Sequence, residues 1–374
     1  MSAVDDTMSV ERLDHRFGLR AGFPIGVEEE LLLVEPGTGG LLADAERVVA
    51  EAKPDAGRLA SEIFASEVEL VTPVCRSLEE VAISLSSLLA DVRGVGADVI
   101  GAGLHPAARP GDACLSSSPR YSAVSDALQG LLRTPPAALH VHVGMPDPET
   151  AVRVCNGLRR HLPLLHSLSA NSPFWYGRDS GLASARAAVL RSYPRYGVPR
   201  WFRDWEDFLL VARELADAAG VPDYTYFWWD VRPHPRLGTV EVRAPDTQFS
   251  LDRTLALTAL IYSMARMETE APLPPHRTRD AVEEACYQAT RYGLEAKLPD
   301  DAGVLTPARV LAQDLLDRAK PYARELGCEP ALDGIIRILR EGDGAQIQRS
   351  VHQREGMTGL LRWLRRQRER GAET

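Results

Sequence analysis

Apolar and acidic residues interleave from Phe23 through Ile25, Val27, Glu28, Glu29, Glu30, Leu31, Leu32 and Leu33, a pattern that predicts a strand. A second strand is predicted over residues 66–72, stopped by Pro73. Leu78, Val81, Leu85, Leu88 and Val92 recur three and four apart, the spacing of an amphipathic helix. Residues 98–104 and 139–145 predict further strands, and the Pro/Gly/Ser-rich passage 106–119 between them predicts a long ordered or lid-like loop. Asp147 followed by Pro148 opens a helix running to about Leu168. Residues 171–203 mix Gly, Pro, Arg and aromatics without a period, as active-site loops do. A helix over 205–219, a strand pair over 224–231 and 239–243, and helices from Leu251 to the Arg-rich 360–370 segment complete the pattern. Residues 1–20 are polar and expected to be loose. With no repeat, linker or low-complexity tract, 1–374 reads as one catalytic domain. Strands do not alternate with single helices, so the expected class is α+β, an antiparallel or mixed sheet backed by helices.

Charge and composition narrow the function. The chain carries 43 Lys plus Arg against 52 Asp plus Glu, a net −9, which argues against a nucleic-acid partner. No apolar run reaches the roughly 18–20 residues of a membrane span. Asp5, Asp6 and Glu11 stand where a secretory signal would be basic, so none is expected. Cys75, Cys114, Cys155, Cys286 and Cys328 are scattered and never in C-x-x-C spacing, which fits neither a disulfide framework nor a zinc site and suits a reducing cytoplasm. Lysine is confined to Lys53, Lys297 and Lys320, so no Gly-Lys dipeptide and no P-loop exists.

The candidate chemistry lies on the strands. Alternation puts Glu28 and Glu30 on one face and Glu29 on the other. Paired carboxylates repel unless solvated or bridged by a cation. A solvated outer face is the simplest reading, but Ile25, Val27 and Leu31 to Leu33 press this strand into the core from both sides, which favours a hard divalent cation. Glu67 and Glu69 repeat the arrangement, and His140 and His142 share a face where two buried imidazoles need partners. Glu241 and Arg243 also share a face, either as a simple ion pair or as part of the same site. Carboxylates converging with imidazole suit Mg²⁺ or Mn²⁺ better than structural zinc. Such a cradle beside Arg120, Arg178, Arg186, Arg232 and Arg243 suggests a nucleotide held through metal-bridged phosphates, since arginine forks match phosphate oxygens. The aromatic runs Phe174-Trp175-Tyr176 and Phe227-Trp228-Trp229 are either core anchors or the lining of a substrate or nucleobase pocket.

A set of motifs now resembles a known family. Gly26-Val27-Glu28-Glu29-Glu30, Glu67-Val68-Glu69 with Thr72-Pro73-Val74-Cys75-Arg76, Gly103-Leu104-His105-Pro106, Arg120-Tyr121 and Leu139-His140-Val141-His142-Val143-Gly144 occur in order. Ser172-Pro173-Phe174-Trp175, Trp229-Asp230-Val231-Arg232-Pro233, Gly238-Thr239-Val240-Glu241-Val242-Arg243 and Gly342-Asp343-Gly344-Ala345 follow. From Phe23 to Gln348 the chain is similar to the bacterial carboxylate–amine ligases of the glutamate–cysteine ligase type 2 family. The resemblance implies a glutamine-synthetase-like fold, a curved and mainly antiparallel sheet forming a funnel with helices packed outside. It implies ATP and Mg²⁺ (or Mn²⁺) in the funnel, a substrate carboxylate (typically the γ-carboxylate of glutamate) activated as an acyl phosphate, and an amine that completes the amide. By position, Glu28, Glu30, Glu69, His140 and Glu241 look like the metal ligands. Arg243 resembles the arginine on the transferring phosphoryl group and Arg232 one that holds substrate or phosphate. His142, Arg120, Arg186 and Trp229 look like pocket residues, and a homodimer is implied. The chain departs from the family at Glu284-Ala285-Cys286-Tyr287-Gln288-Ala289, where an Asn-x-Trp-Arg-Ala-like run is usual, and at Pro136-Ala137-Ala138, where Cys-Gly is frequent. The first departure is expected to change what the pocket holds, so a non-cysteine acceptor of specialised metabolism is one alternative. A metal-dependent amide hydrolase is another.

Overall fold

Seven strands form one antiparallel sheet in a computed structural model that describes residues 14–117, 119–272 and 277–369. In chain order the first elements are β1 (Ile25–Val34), α1 (Ala45–Glu51), β2 (Arg58–Ser61), β3 (Glu67–Val71), α2 (Leu78–Gly94), β4 (Asp98–Ile100), α3 (Pro119–Leu128) and β5 (Leu139–Gly144). Next come α4 (Pro148–Arg159), α5 (Leu162–Ser169), the small pair β6 (Phe174–Trp175) and β7 (Arg178–Asp179), α6 (Ala185–Leu190), α7 (Trp205–Ala219), β8 (Val231–His234) and β9 (Thr239–Val242). The C-terminal part is helical, with α8 (Leu251–Glu268), α9 (Arg279–Tyr292), the hairpin β10 (Lys297–Pro299) and β11 (Leu305–Pro307), α10 (Ala308–Glu325), α11 (Asp333–Glu341) and α12 (Gly344–Glu369). The strand order is β2-β3-β1-β5-β9-β8, with β4 on the far end of β1. Among the described residues no helix is long and apolar enough to cross a membrane.

Period-two alternation decides which face is core. Ile25, Val27, Leu31 and Leu33 of β1, Val68 and Leu70 of β3, Val141 and Val143 of β5, and Val240 and Val242 of β9 enter one hydrophobic cluster beneath α2, α4 and α8. On the opposite face the same strands carry Glu28, Glu30, Glu69, His140, His142 and Glu241. Further along β1, Leu32 and Val34 close that face against Val351, Leu360 and Leu364 of α12.

The helices start where the sequence supplies caps. The Ser77 side chain accepts from the Glu80 amide, Asp147 from Thr150 and Asp204 from Asp207, and Gly220 ends α7 at φ 62°. The single helix expected to reach Leu168 is two, because Pro163 lacks an amide hydrogen and starts α5 afresh. The strand expected over 224–231 begins only at Val231, since Asp223 caps a 3₁₀ turn at Tyr224–Tyr226. The strand expected over 98–104 stops at Ile100, where Gly101 passes too close to the Gln248 carbonyl to carry a side chain. In the 106–119 loop, the amides of Ala107 and Ala108 donate to His105 Nδ1 and Ser116 pairs with Ile63 beside the β2–β3 turn. Of the supposedly loose 1–20 segment, 1–13 lie outside the described residues. Arg16 to Gly18 are seated, with Phe17 buried edge-on to Trp205 and backbone bonds to Pro235 and Met145.

Glu29, the acid pointing away from its neighbours' face, is fully buried. Both its oxygens accept from Arg368 of α12, at 3.0 and 2.6 Å, and Thr254 donates at 2.6 Å. Removing one member of a buried pair leaves an uncompensated charge. Arg368→Ala should therefore lower the unfolding free energy by about 3–5 kcal/mol, read from urea unfolding; a loss below about 1 kcal/mol would show that α12 is held by apolar packing alone.

Candidate active site

The polar face of the sheet is the floor of a cavity of about 380 Å³. Tyr121, Val124 and Leu128 of α3, Leu190 of α6, and Tyr193, Tyr196 and Trp228 from loops form its walls. Register brings the acids together, because β1 lies between β3 and β5. Glu30 pairs with Glu69, Glu28 with His140, and His142 with Glu241. His140 Nδ1 lies 3.3 Å from Glu28 and its Nε2 3.8 Å from Glu30, while His142 Nε2 lies 3.7 Å from Glu28 and 3.9 Å from Glu241. Three overlapping triads result, Glu28–Glu69–His140, Glu28–His142–Glu241 and Glu30–Glu62–Glu69, each with its ligand atoms within 4.8 Å of one another. Oxygen-rich triads sharing corners could hold more than one hard divalent cation.

Electrostatics divides the cavity. Burial would raise Glu241, but Arg232 and Arg243 outweigh it and hold the carboxyl well below its usual range. Burial would likewise raise Glu28, and His142 and His140 hold it down. On the β2–β3 side Arg186, Arg243 and Arg58 pull the same way but do not outweigh burial. Burial first and Glu62 second push Glu30 up to about 8, and burial with neighbouring glutamates drives Glu67 and Glu69 well above the carboxylate range. Burial, with Arg243 adding to it, lowers His140 to about 4, whereas Glu241 and Glu28 overcome burial to raise His142. Neutral imidazole and acids that cannot all ionise together are what a bound cation would relieve.

The proposed arginines fall into distinct roles. Arg232 is bidentate to Glu241, with Nε 2.6 Å from one oxygen, and its Nη1 donates to the carbonyls of Tyr224, Thr225 and Phe227. Its guanidinium orients Glu241. Arg243 donates to Glu241 through Nη1 and keeps a buried Nε without a partner. Arg186 reaches the cavity from α6 but donates to Asp246 and the carbonyls of Ala244 and Arg243. Trp229 is not brought to the cavity. It is buried on Phe202 and Phe227, and Trp228 lines the wall instead, because adjacent residues of an extended segment point opposite ways. The Arg120 side chain lies outside what is described, although Tyr121 beside it contacts Ser61 and Glu62.

Arg58, Glu62 and His234 were absent from the expected site. Arg58 and Ala60 alternate on β2 with Glu62 just beyond, a pattern too short to read, and His234 lies two residues past Arg232 on β8. The departing 284–289 segment lies in α9, away from the cavity lining. It does not shape the pocket directly. Its Cys286 packs instead against His166 and Asp230, whose carboxylate holds Arg191 at 2.9 Å.

The model of the glutamate–cysteine ligase family 2 matches residues 24–371. The chain belongs to that family. A Rubrobacter xylanophilus protein provisionally named glutamate–cysteine ligase 2-3 is 44% identical over 92% of this chain and 96% of its own. A Haloferax volcanii protein named glutamate–cysteine ligase is 35% identical over 91% and 95%. In fold, the chain is similar to a Francisella tularensis glutamate–cysteine ligase solved in complex with AMP, with TM-score 0.71 at 13% identity over 95% of this chain and 90% of that one. Family 2 membership makes the chain an ATP-dependent carboxylate–amine ligase.

The raised carboxylates carry a pH signature. Between pH 6.5 and 8, Glu30 holds its proton in the folded state and releases it on unfolding, so folded molecules bind more protons and stability falls as pH rises. In chelator the melting midpoint should drop across this window and Glu30→Gln should flatten the drop. Millimolar Mg²⁺ should raise the midpoint more at pH 8 than at 6.5. A midpoint that climbs with pH in chelator would contradict this account of the site.

Proposed function

We propose that this chain uses ATP to activate the γ-carboxylate of glutamate as an acyl phosphate and transfers the acyl group to an amine, releasing ADP and phosphate. The observation that carries this reading is the convergence of two carboxylate–imidazole triads and one all-carboxylate triad beside Arg243 in one cavity of a family 2 chain. The names of the Haloferax and Rubrobacter relatives and the AMP held by the Francisella enzyme support it.

The residues suit hard divalent cations: the donors are carboxylates and imidazole without thiolate, and burial and mutual repulsion raise Glu30, Glu67 and Glu69 more than Arg186, Arg243 and Arg58 lower them. Mg²⁺ or Mn²⁺ held by Glu28, Glu30, Glu69, His140 and Glu241, with His142 and Glu62 completing the triads, would neutralise and orient the phosphate oxygens. In the first step a γ-carboxylate oxygen bonds to the γ-phosphorus of ATP while the bond to the ADP oxygen breaks. Arg243, which lines the cavity, would offer its positive charge to the equatorial oxygens, where charge accumulates. Arg232 keeps Glu241 aligned throughout. In the second step the amine nitrogen bonds to the acyl carbon, phosphate leaves with the former carboxylate oxygen, and the nitrogen gives up a proton. The walls from α3, Tyr193 and Trp228 flank the place where the acyl phosphate would form.

ADP release should appear with glutamate and a member of an amine panel, with the amide seen by mass spectrometry. Glu69→Gln and Glu241→Gln should each reduce turnover at least about 100-fold while remaining folded by circular dichroism. Full turnover in both variants would remove the metal assignment. Cleavage of γ-glutamyl amides in nucleotide-free buffer, without ADP release, would mark the site as a hydrolase.

A further inference from the structure

Three of the described arginines lining the cavity are held by protein partners. Arg232 and Arg243 are bound to Glu241, and Arg186 to Asp246 and two carbonyls. The fourth, Arg58, forms no hydrogen bond or ion pair with any described residue, yet it lines the same cavity from β2. Its position is fixed by the residue before it. Gly57, at φ +149°, lies so close to the Val71 carbonyl and to Leu88 that no side chain fits there.

Register locates Arg58 relative to the chemistry. It pairs with Val71, Val71 pairs with Glu28, and Glu28 pairs with His140. Arg58 therefore stands two strands, about 10 Å at the backbone, to one side of Glu28. Arg243 follows β9 on the other side of Glu28, beyond β5. A carboxylate activated near Glu28 thus lies between a cation paired with Glu241 and one, Arg58, that feels the charge of Glu69 without hydrogen-bonding to it. The phosphoryl group belongs with the first, and the second is left to the remote end of the donor.

We propose that Arg58 is a specificity-determining residue that receives the α-carboxylate of the donor and so selects a dicarboxylate five carbons long over a monocarboxylate. The guanidinium fork matches a carboxylate with two parallel hydrogen bonds, and the extended arginine side chain with the methylenes of the donor bridges the two strands. The inference rests on the ligase reading above.

Its test compares two donors, glutamate and glutamic acid α-amide, in ADP-release assays on the wild type, Arg58→Met and Arg58→Lys. For glutamate, Arg58→Met should raise KM about 10- to 100-fold with little change in kcat, and Arg58→Lys should recover part of the loss. For the α-amide, Arg58→Met should leave kcat/KM within about threefold, because the neutral amide offers no charge to lose. Equal losses on both donors would make Arg58 merely structural and overturn the proposal. So would a rise in KM confined to ATP, which would place a phosphate there, or one confined to the amine, which would place the acceptor there. An unchanged variant would overturn it too while leaving the ligase reading intact, whereas a wild type that releases no ADP with any acid would defeat the ligase reading itself.

Discussion

Six carboxylates, Glu28, Glu30, Glu62, Glu67, Glu69 and Glu241, line one cavity over a sheet whose other face is apolar. Their mutual repulsion is the constraint around which the rest of the molecule is arranged. The protein answers it differently on the two sides of β1. On the β8–β9 side the counter-charges are side chains of the protein itself, since Arg232 and Arg243 pair with Glu241 so strongly that burial cannot protonate it. On the β2–β3 side the acids are left to share protons. One half of the site is therefore rigid before any ligand arrives, and the other half has its charge state set by what binds. That asymmetry suits phosphoryl transfer, in which fixed donors must meet developing charge while exchangeable cations arrive with the nucleotide.

Such a cavity needs a stiff surround, and the surround is built from buried polar groups. Asp246 accepts from the Asn171 amide at 2.9 Å, from Ser172 Oγ at 2.7 Å and from Ser184 Oγ at 2.8 Å, tying the 171–186 loops to the segment that follows β9. Gly103 must be glycine because a Cβ there would strike the Asp246 carboxylate. Glu29 performs the equivalent task on the far face, joining β1 to α8 and α12. Acids adjacent in sequence thus serve opposite ends: Glu28 and Glu30 are frustrated for chemistry, and Glu29 is satisfied for stability.

The parts of this design that a period of two can express are legible in the sequence. β1, β3, β5 and β9 alternate apolar with acidic or imidazole residues, so Glu28, Glu30, Glu69, His140 and Glu241 emerge together. β2 is as short as β9 but reads Arg-Leu-Ala-Ser, with one large apolar residue and no alternation, so neither Arg58 nor Glu62 stands out from an ordinary polar stretch. Trp228 and Trp229 show the limit of composition, because an aromatic pair in extended backbone must send one ring each way and nothing local says which is inside. Arg232 shows the limit of motif reasoning. Its neighbourhood is right, but its hydrogen bonds to three carbonyls and to Glu241 make it a clamp on that carboxylate, a distinction visible only in three dimensions.

The same distinction bears on substrate identity. The departing 284–289 segment looks in sequence like an altered pocket, yet Ala285, Cys286 and Ala289 are buried faces of α9 against the α5 side of the molecule. Cys286 reaches the cavity only indirectly, through Asp230, whose backbone carbonyl accepts from the Arg243 amide and whose side chain holds Arg191. A change there can shift the position of Arg243, and in the proposed reaction that would alter phosphoryl transfer for every acceptor alike. Selection among amines requires groups that touch the amine, and in the proposed reaction the candidates are the walls: Tyr121, Val124 and Leu128 on α3, with Leu190, Tyr193 and Trp228. That wall is apolar and aromatic where the floor is charged, so in the proposed reaction selection by the shape and hydrophobicity of the acceptor's organic part falls to the wall.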